Sequence, residues 1–258
     1  MSRFPRKAMV LAAGRGVRLK PLTDRLPKAL VEVAGRPMIE YPLRMLAAAG
    51  VEEVVVNLHH RGELIRATLG NGDRFGVRIH YSTEDSLLDT GGAVARARPL
   101  LEGAPFAIAN CDALLDVDLS ALWEFHRRRS ALATLVVRSD PQAERYGAID
   151  VDIEGRVRRF LGKPAATTLS LARRMFCGVQ VISPEIFELM PTAPPAFSIT
   201  SDVYARAFAD GRPLYGFDYA GYWRDLGTAE SLAAAEADAM AKRFAPAYLD
   251  RSVEGQRK

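Results

Sequence analysis

Short apolar runs alternate with stretches of helical periodicity through the first half of the chain. Ala8–Ala12, Glu53–Asn57, Arg78–Tyr81, Phe106–Asn110 and Ala133–Arg138 are compact runs rich in β-branched or small apolar residues, which predicts strands. Between them, Met38–Ala49, Arg61–Leu69, Gly92–Leu101 and Leu119–Arg129 repeat apolar residues at helical spacing. The first of these helices is expected to stop at Gly50. This strand–helix rhythm predicts an α/β fold with a mostly parallel sheet covered on both faces.

The second half is less regular. Gly147–Val151 and Arg156–Leu161 read as a hairpin around Glu154-Gly155. Met175–Ile182 reads as a strand, and Pro184 opens a helix. Ser201–Asp210 and Ala229–Arg243 read as helices, and the residues from Phe244 as a polar tail that frays. No internal repeat is visible, and no hexapeptide array follows the α/β part. The expected organisation is one domain over 1–243, in two parts divided at about 130, with a tail over 244–258.

Composition narrows the function classes. A chain of 258 residues with 48% hydrophobic and 26% charged residues is ordinary globular material. A net charge of +4 is too mild for a dedicated nucleic-acid or membrane-surface binder. The two cysteines, Cys111 and Cys177, lack C-x-x-C spacing, which argues against zinc and against a disulfide framework. No signal-peptide pattern and no apolar run near the ~20 residues of a membrane span is present, so a cytoplasmic protein is expected.

The charge that matters is local. Val10–Gly35 carries five basic side chains and two acids, just after the first strand. In open α/β sheets ligands bind beyond the carboxyl ends of strands, where this loop lies. Gly14 and Gly16 let the backbone approach an anion with free N–H groups. Arg15, Arg18 and Lys28 add fixed charge, and Pro21 and Pro27 stiffen the segment. The loop lacks the third glycine of a dinucleotide fingerprint and the Gly-Lys-Ser/Thr of a P-loop. A solvated turn with surface arginines is the competing reading.

The whole stretch Leu11-Ala-Ala-Gly-Arg-Gly-Val-Arg-Leu-Lys-Pro-Leu-Thr-Asp-Arg-Leu-Pro-Lys resembles the signature of the sugar-1-phosphate nucleotidylyltransferases, L-A-A-G-x-G-T-R-L-x-P-L-T-x-x-x-P-K. Val17 alone departs, replacing threonine. The resemblance implies a Rossmann-like αβα sandwich of the nucleotide-diphospho-sugar transferase type, without a C-terminal β-helix. It places Gly14, Arg15 and Gly16, with Ala12 and Ala13 beside them, around a nucleotide triphosphate. It assigns Arg18 and Lys28 to the phosphates at the reacting centre.

The resemblance extends to two carboxylates. Asp112 follows an apolar strand in Phe-Ala-Ile-Ala-Asn-Cys-Asp, where the family has N-G-D or N-S-D. Asp225, in Trp-Arg-Asp-Leu-Gly-Thr-Ala-Glu, resembles W-x-D-V-G-T-P-E. Together they are implied to hold Mg²⁺, which takes one or two carboxylates plus phosphate oxygens. The competing readings are a turn or N-cap role for Asp112, which Asp116 and Asp118 fit better, and a pairing of Asp225 with Arg224.

Ser82–Val94 resembles the family's base-binding segment. Glu84 is expected to accept hydrogen bonds from a base edge, and Gly91 and Gly92 to leave room for a base or ribose. The competing readings are a surface charge and a helix entry. Arg145 to Pro164 resembles the sugar-side motif R-Y-G-V-V-x-V-D-x-x-G-R-V-x-x-F-x-E-K-P, which implies sugar-phosphate contacts at Tyr146, Gly147 and Lys163. Gly162 replaces the glutamate that normally touches the sugar. Phe176-Cys-Gly178 resembles the F-S-G of short uridylyltransferases acting on N-acetylmuramate phosphate.

The expected reaction is transfer of a nucleotidyl group from an NTP, UTP or GTP, to a sugar-1-phosphate. UTP with N-acetylmuramate-1-phosphate is the first pair. A guanylyltransferase for mannose- or heptose-1-phosphate, a phosphocholine cytidylyltransferase and a non-catalytic nucleotide-sugar-binding regulator remain alternatives. No nucleic-acid or membrane partner is expected, and the oligomeric state is open. His59-His60 reads as a surface loop, Arg127–Arg129 as a solvated helix end, and Trp123 and Trp223 as packing residues.

Overall fold

The computed structural model describes residues 3–164 and 169–249. The architecture is α/β, with a mostly parallel central sheet carrying helices and no closed barrel, as the sequence rhythm predicts. Among the described residues, no helix is long and apolar enough to cross a membrane.

Two compact units share the chain and interleave along it. The amino-terminal unit holds Arg3–Leu87, Ala109–Val117 and the chain from Gly221; the central unit holds Leu88–Ile108 and Asp118–Ala220. The chain leaves the first unit at Leu87, revisits it at 109–117 and returns to it after 220.

In the amino-terminal unit, Lys7–Leu11 runs parallel to Glu53–Leu58, with Met9 opposite Val55. Arg78–Thr83 lies parallel on the other side of Glu53–Leu58. Met9, Val10, Val54 and Val56 are fully buried, which is why these strands read as unbroken apolar runs. Helix Glu40–Ala48 ends at Gly50, whose positive φ of 93° and N–H bond to Ala47 O close it as the sequence predicts.

Two three-residue strands escape the sequence reading. Ala113–Leu115 pairs antiparallel with Trp223–Asp225, placing Asp225 opposite Ala113. Segments this short carry no readable period. The expected fraying after 243 does not hold for residues 244–249. Phe244 is buried, with its ring 4.7 Å from that of Tyr222 and 5.9 Å from that of Tyr41. Tyr248 donates to Leu115 O at 2.9 Å. The residues between them, Ala245, Pro246 and Ala247, are apolar, so this stretch packs by its aromatic rings. Residues 250–258 lie outside the described residues.

In the central unit, Ala172–Ile182 is antiparallel to Ala133–Arg138 and to Ile149–Val151. The predicted hairpin is formed by Ile149–Val151 and Val157–Phe160. Gly155 at its turn has φ 83°, and a Cβ there would come within 2.6 Å of Gly216 O. Leu214–Asp218, unread in the sequence, runs parallel to Ala133–Arg138. Three predicted helices change form. The one expected from Gly92 begins at Asp89 and ends at Arg96, with Arg98–Leu101 following. The one at Pro184 is a 3₁₀ helix, Pro184–Leu189, and the one expected over 201–210 is a π-helix, Ile199–Tyr204, followed by Ala205–Ala209.

Helix Leu119–Arg128 starts on Asp118, whose carboxylate accepts from Ser120 and Ala121 N–H. Its His126 is buried against Thr134 and Ser183, at 2.9 and 3.1 Å. Ser183 donates its own proton to Ala131 O at 2.7 Å. It can therefore only accept from His126 Nε2–H, and in the neutral ring Nδ1 accepts from Thr134. Burial pushes the His126 pKa down to about 4. The unfolded chain binds this proton more readily, so stability from the neutral ring is complete above about pH 6.5 and lost as pH falls through 4. Denaturant unfolding from pH 7 to 4 should show a slope of up to ~1.4 kcal/mol per pH unit that His126→Gln removes.

Candidate functional site

The first strand ends at Leu11, and the chain turns into the glycine loop. Gly16 sits in the left-handed region, with φ 62°. Its carbonyl accepts from Leu19 N–H and from Thr23 Oγ1, both at 2.9 Å. A Cβ on Gly16 would come within 2.8 Å of Lys28 Cβ and 2.9 Å of Thr23. Gly16 is thus required twice, by its backbone angle and by the close passage of Lys28. Gly14 has open space around it, and Gly14, Arg15 and Arg18 are exposed. Val17 is 64% exposed, so the position that departs from the family signature faces outward.

Pro27 precedes a single 3₁₀ turn, Lys28–Leu30, held by Leu30 N–H to Pro27 O. That turn carries the Lys28 ammonium inward, where it ion-pairs with Asp112 Oδ2. Burial lowers the Lys28 pKa, but the charge and hydrogen bond of Asp112 outweigh it and the net direction is up. Asp112 itself is fixed by its backbone. The preceding Cys111 N–H donates to Leu11 O at 3.2 Å, and Asp112 O accepts from Leu226 N–H at 2.8 Å. Burial pushes the Cys111 thiol up to about 12, so it is no nucleophile at neutral pH.

Asp225 arrives from the far end of the sequence on strand Trp223–Asp225. Neighbouring strand residues face opposite ways, and Arg224 accordingly turns from Asp225 to Asp238, at 2.6 Å. The sequence alternative of an Arg224–Asp225 pair is thereby excluded. Asp225 Oδ1 accepts Gly227 N–H at 3.0 Å. Burial raises the Asp225 pKa, and the neighbouring Asp112 charge raises it further against the opposing pull of Lys28 and Arg18. The two carboxylates, Lys28 and Arg18 are thus electrostatically one group. Thr228 and Ser231 form a reciprocal cap on helix Ala229–Met240, which anchors the chain just past this turn.

Gly227 is a site residue that the sequence reading missed. A Cβ there would lie 2.5 Å from an Arg18 guanidinium nitrogen and 2.7 Å from Asp225 Oδ1. The signal was available as the glycine of the Trp-Arg-Asp-Leu-Gly-Thr stretch. Asn57 was missed too. Its Oδ1 accepts Ala12 N–H at 2.7 Å, and its Nδ2 donates to Glu84 Oε1 at 2.8 Å.

Other expected residues meet different partners. Glu84 is 3% exposed, and its Oε1 accepts from Asn57. His59 Nδ1 lies 3.0 Å from Glu84 O. Gly91 and Gly92, in the central unit, both donate N–H to Phe197 O, at 2.9 and 3.1 Å. A Cβ on Gly91 would meet the Phe197 ring at 2.5 Å, and one on Gly92 would meet Pro195 O at 2.2 Å. On the Cβ side of both glycines lies the chain's own 195–199 segment.

Of the expected sugar-side residues, Gly147 and Gly178 have positive φ, 84° and 89°. Gly178 lies where the pairing of Ala172–Ile182 with Ala133–Arg138 is irregular. Lys163 lies on the two-residue strand Lys163–Pro164, opposite Phe160. The side chains of Tyr146 and Lys163 lie outside the described residues. Gly162 has φ 75°, a conformation that a glutamate in its place would adopt only with strain.

Among the described residues, no three His, Cys, Asp or Glu side chains gather as a metal cage. The protein donors of the candidate site are two carboxylates. Gly227→Ala should change thermal stability by less than ~1 kcal/mol, because the clash meets side-chain ends. It should weaken triphosphate binding about tenfold by displacing Arg18, as read by calorimetry with UTP and GTP.

The sequence profile of the nucleotidyl transferase family matches residues 7–242. A mannose-1-phosphate guanylyltransferase of Mycobacterium tuberculosis is 34% identical over 252 residues, covering 96% of this chain and 68% of that protein. A UTP–glucose-1-phosphate uridylyltransferase of Synechocystis is 31% identical, covering 86% of this chain and 60% of that protein. A mannose-1-phosphate guanyltransferase of Candida albicans is 34% identical over 86% of this chain and 61% of its own length. The chain thus spans about 60% of the length of several of the curated relatives it matches. The fold is shared with a UDP-glucose pyrophosphorylase complexed with UDP-glucose, at TM-score 0.75 and 20% identity, over 92% of this chain and 99% of that one. It is shared too with HddC of Yersinia pseudotuberculosis, at TM-score 0.72 and 23% identity, over 91% and 99%. With the profile covering nearly its whole length, the chain belongs to the nucleotidyl transferase family.

Proposed function

We propose that this chain transfers a nucleotidyl group from a nucleoside triphosphate to a sugar-1-phosphate. The observation that carries the reading is the grouping of Arg18, Lys28, Asp112 and Asp225 in one unit, beyond the end of the first strand. The attacking atom is an oxygen of the sugar phosphate, already anionic near neutral pH. It forms a bond to the α-phosphorus, and pyrophosphate leaves. Such chemistry asks for positioning and charge stabilisation rather than a strong base. Arg15 and Arg18, exposed on the loop, meet the triphosphate, and Lys28 offsets charge deeper in the site. Lys163 holds the sugar phosphate.

The donor set fits a divalent cation. Asp225 is raised first by burial and then because Asp112 lies close with the same charge, while Lys28 ion-pairs with Asp112. Two adjacent carboxylates, with phosphate oxygens and water completing the shell, suit Mg²⁺. Asp112 and Asp225 would hold the ion, and its chemistry when bound is to neutralise phosphate charge.

The sequence resemblance favours UTP with N-acetylmuramate-1-phosphate. GTP with mannose-1-phosphate is the second reading, favoured by the M. tuberculosis relative that covers 96% of this chain. Pyrophosphate release with Mg²⁺ should be measured for four nucleotides against N-acetylmuramate-, N-acetylglucosamine-, glucose-, mannose- and heptose-1-phosphate, with phosphocholine as control. One sugar pair should stand well above the rest. Release only with CTP and phosphocholine would move the acceptor class. No release from any pair, with nucleotide still bound, would favour a non-catalytic regulator.

Asp112→Asn should cut turnover of the preferred pair by ~100-fold or more while the protein stays folded, because a charged ligand and the partner of Lys28 are lost together. Near-normal turnover in that variant would remove Asp112 from the site.

A further inference from the structure

Three parallel strands of the amino-terminal unit end side by side, and their ends are joined by side chains as well as by the backbone. Asn57 is the fifth residue of strand Glu53–Leu58, which runs parallel to Lys7–Leu11. Just where the first strand turns away into the glycine loop, Asn57 Oδ1 takes the N–H of Ala12 at 2.7 Å. The side-chain amide replaces a backbone carbonyl that the departing chain can no longer reach. Asn57 Nδ2 then donates to Glu84 Oε1 at 2.8 Å. Glu84 follows strand Arg78–Thr83, and its own N–H is held by Leu58 O at 2.8 Å.

The relay Glu84–Asn57–Ala12 is buried. Glu84, Asn57 and Ala12 are 3%, 4% and 2% exposed. Its polarity admits one arrangement. A carboxylate can only accept, so it fixes the amide with NH₂ toward Glu84 and oxygen toward Ala12. A second tie runs from the same side, where Arg61 donates to Asp24 O at 2.9 Å. The segment from Ala12 to Asp24, bearing the loop glycines and Arg18, is thereby braced at both ends by the loop after Glu53–Leu58 and its last residues.

We infer that Asn57 and Glu84 are positioning residues. They set the start of the glycine loop for the triphosphate of any nucleotide, and Glu84 acts on the loop through Asn57 rather than on a base. The inference deepens the proposed nucleotidyl transfer and rests on it for the identity of the ligand. A strut of this kind changes triphosphate affinity without regard to base, whereas a base-reading carboxylate changes the preference between bases.

Conservative and disruptive variants separate the two. Glutamine at position 84 keeps an oxygen that accepts from Asn57, and methionine keeps only the volume. KM and kcat for UTP and GTP, and binding of each by calorimetry, should be compared in wild type, Glu84→Gln, Glu84→Met and Asn57→Leu. Glu84→Gln should stay within about threefold of wild type for both nucleotides. Glu84→Met and Asn57→Leu should raise KM for both by a common factor of about tenfold, the cost expected when a buried polar partner is lost. A changed UTP-to-GTP preference in Glu84→Gln, or unaltered KM in Glu84→Met, would overturn the inference. Amide hydrogen exchange across Val10–Leu19 without nucleotide gives a readout independent of activity. Exchange should quicken in Glu84→Met and not in Glu84→Gln, and equal protection in both would also overturn it. Wild type that binds neither nucleotide would refute the proposed function instead, and the exchange comparison would still decide whether the strut exists.

Discussion

Charge balance beneath the glycine loop is the constraint on which the site's construction depends. Asp112 and Asp225 are close enough that one raises the pKa of the other. Carboxylates do not share a half-buried corner without compensation. Lys28 supplies part of it by pairing with Asp112, and its own burial is tolerable only because that partner is present. The rest of the local design follows from the need to bring three distant positions together. Pro27 and a single 3₁₀ turn aim Lys28 inward, Gly16 clears its path, and the chain returns after residue 220 to add Asp225. Acids then lie beneath and exposed arginines above. That order suits a polyphosphate that arrives with a cation.

Buried polar side chains elsewhere do their work through the backbone. Glu84 and Asn57 secure Ala12, and Asp238 gathers three partners at the end of helix Ala229–Met240. Burial raises the Asp238 pKa, but hydrogen bonds from Arg243, Tyr222 and Arg224 outweigh it and hold the carboxyl at about 2. That cluster keeps Arg224 away from Asp225 and joins the Phe244 segment to the unit. The glycines of the central unit act sterically. Gly91 and Gly92 let the 195–199 segment approach to a distance that any side chain would forbid.

What was legible in the sequence was periodic or long. Strands buried on both faces leave unbroken apolar runs, so Lys7–Leu11, Glu53–Leu58 and Ala133–Arg138 could be read almost to the residue. The Leu11–Lys28 signature identified the family, because eighteen positions carry more information than any one side chain. Asp112 could be placed just past a strand by the same logic, and Gly50 could be read as a stop.

The partners of those residues were decided by the tertiary structure. Glycine can be needed for a turn, as at Gly162, for a close approach, as at Gly92, or for open space, as at Gly14, and its letter is the same in all three. A glutamate near a strand end can find many partners, and only the fold brings Asn57, twenty-seven residues earlier, within hydrogen-bond distance of Glu84. The strands Ala113–Leu115 and Trp223–Asp225 have no period to read, yet their pairing brings Asp225 to Asp112. By itself the sequence determined which elements form and which chemistry is available, since both depend on local pattern. The tertiary structure decided which side chains meet, because that depends on contacts between segments a hundred residues apart.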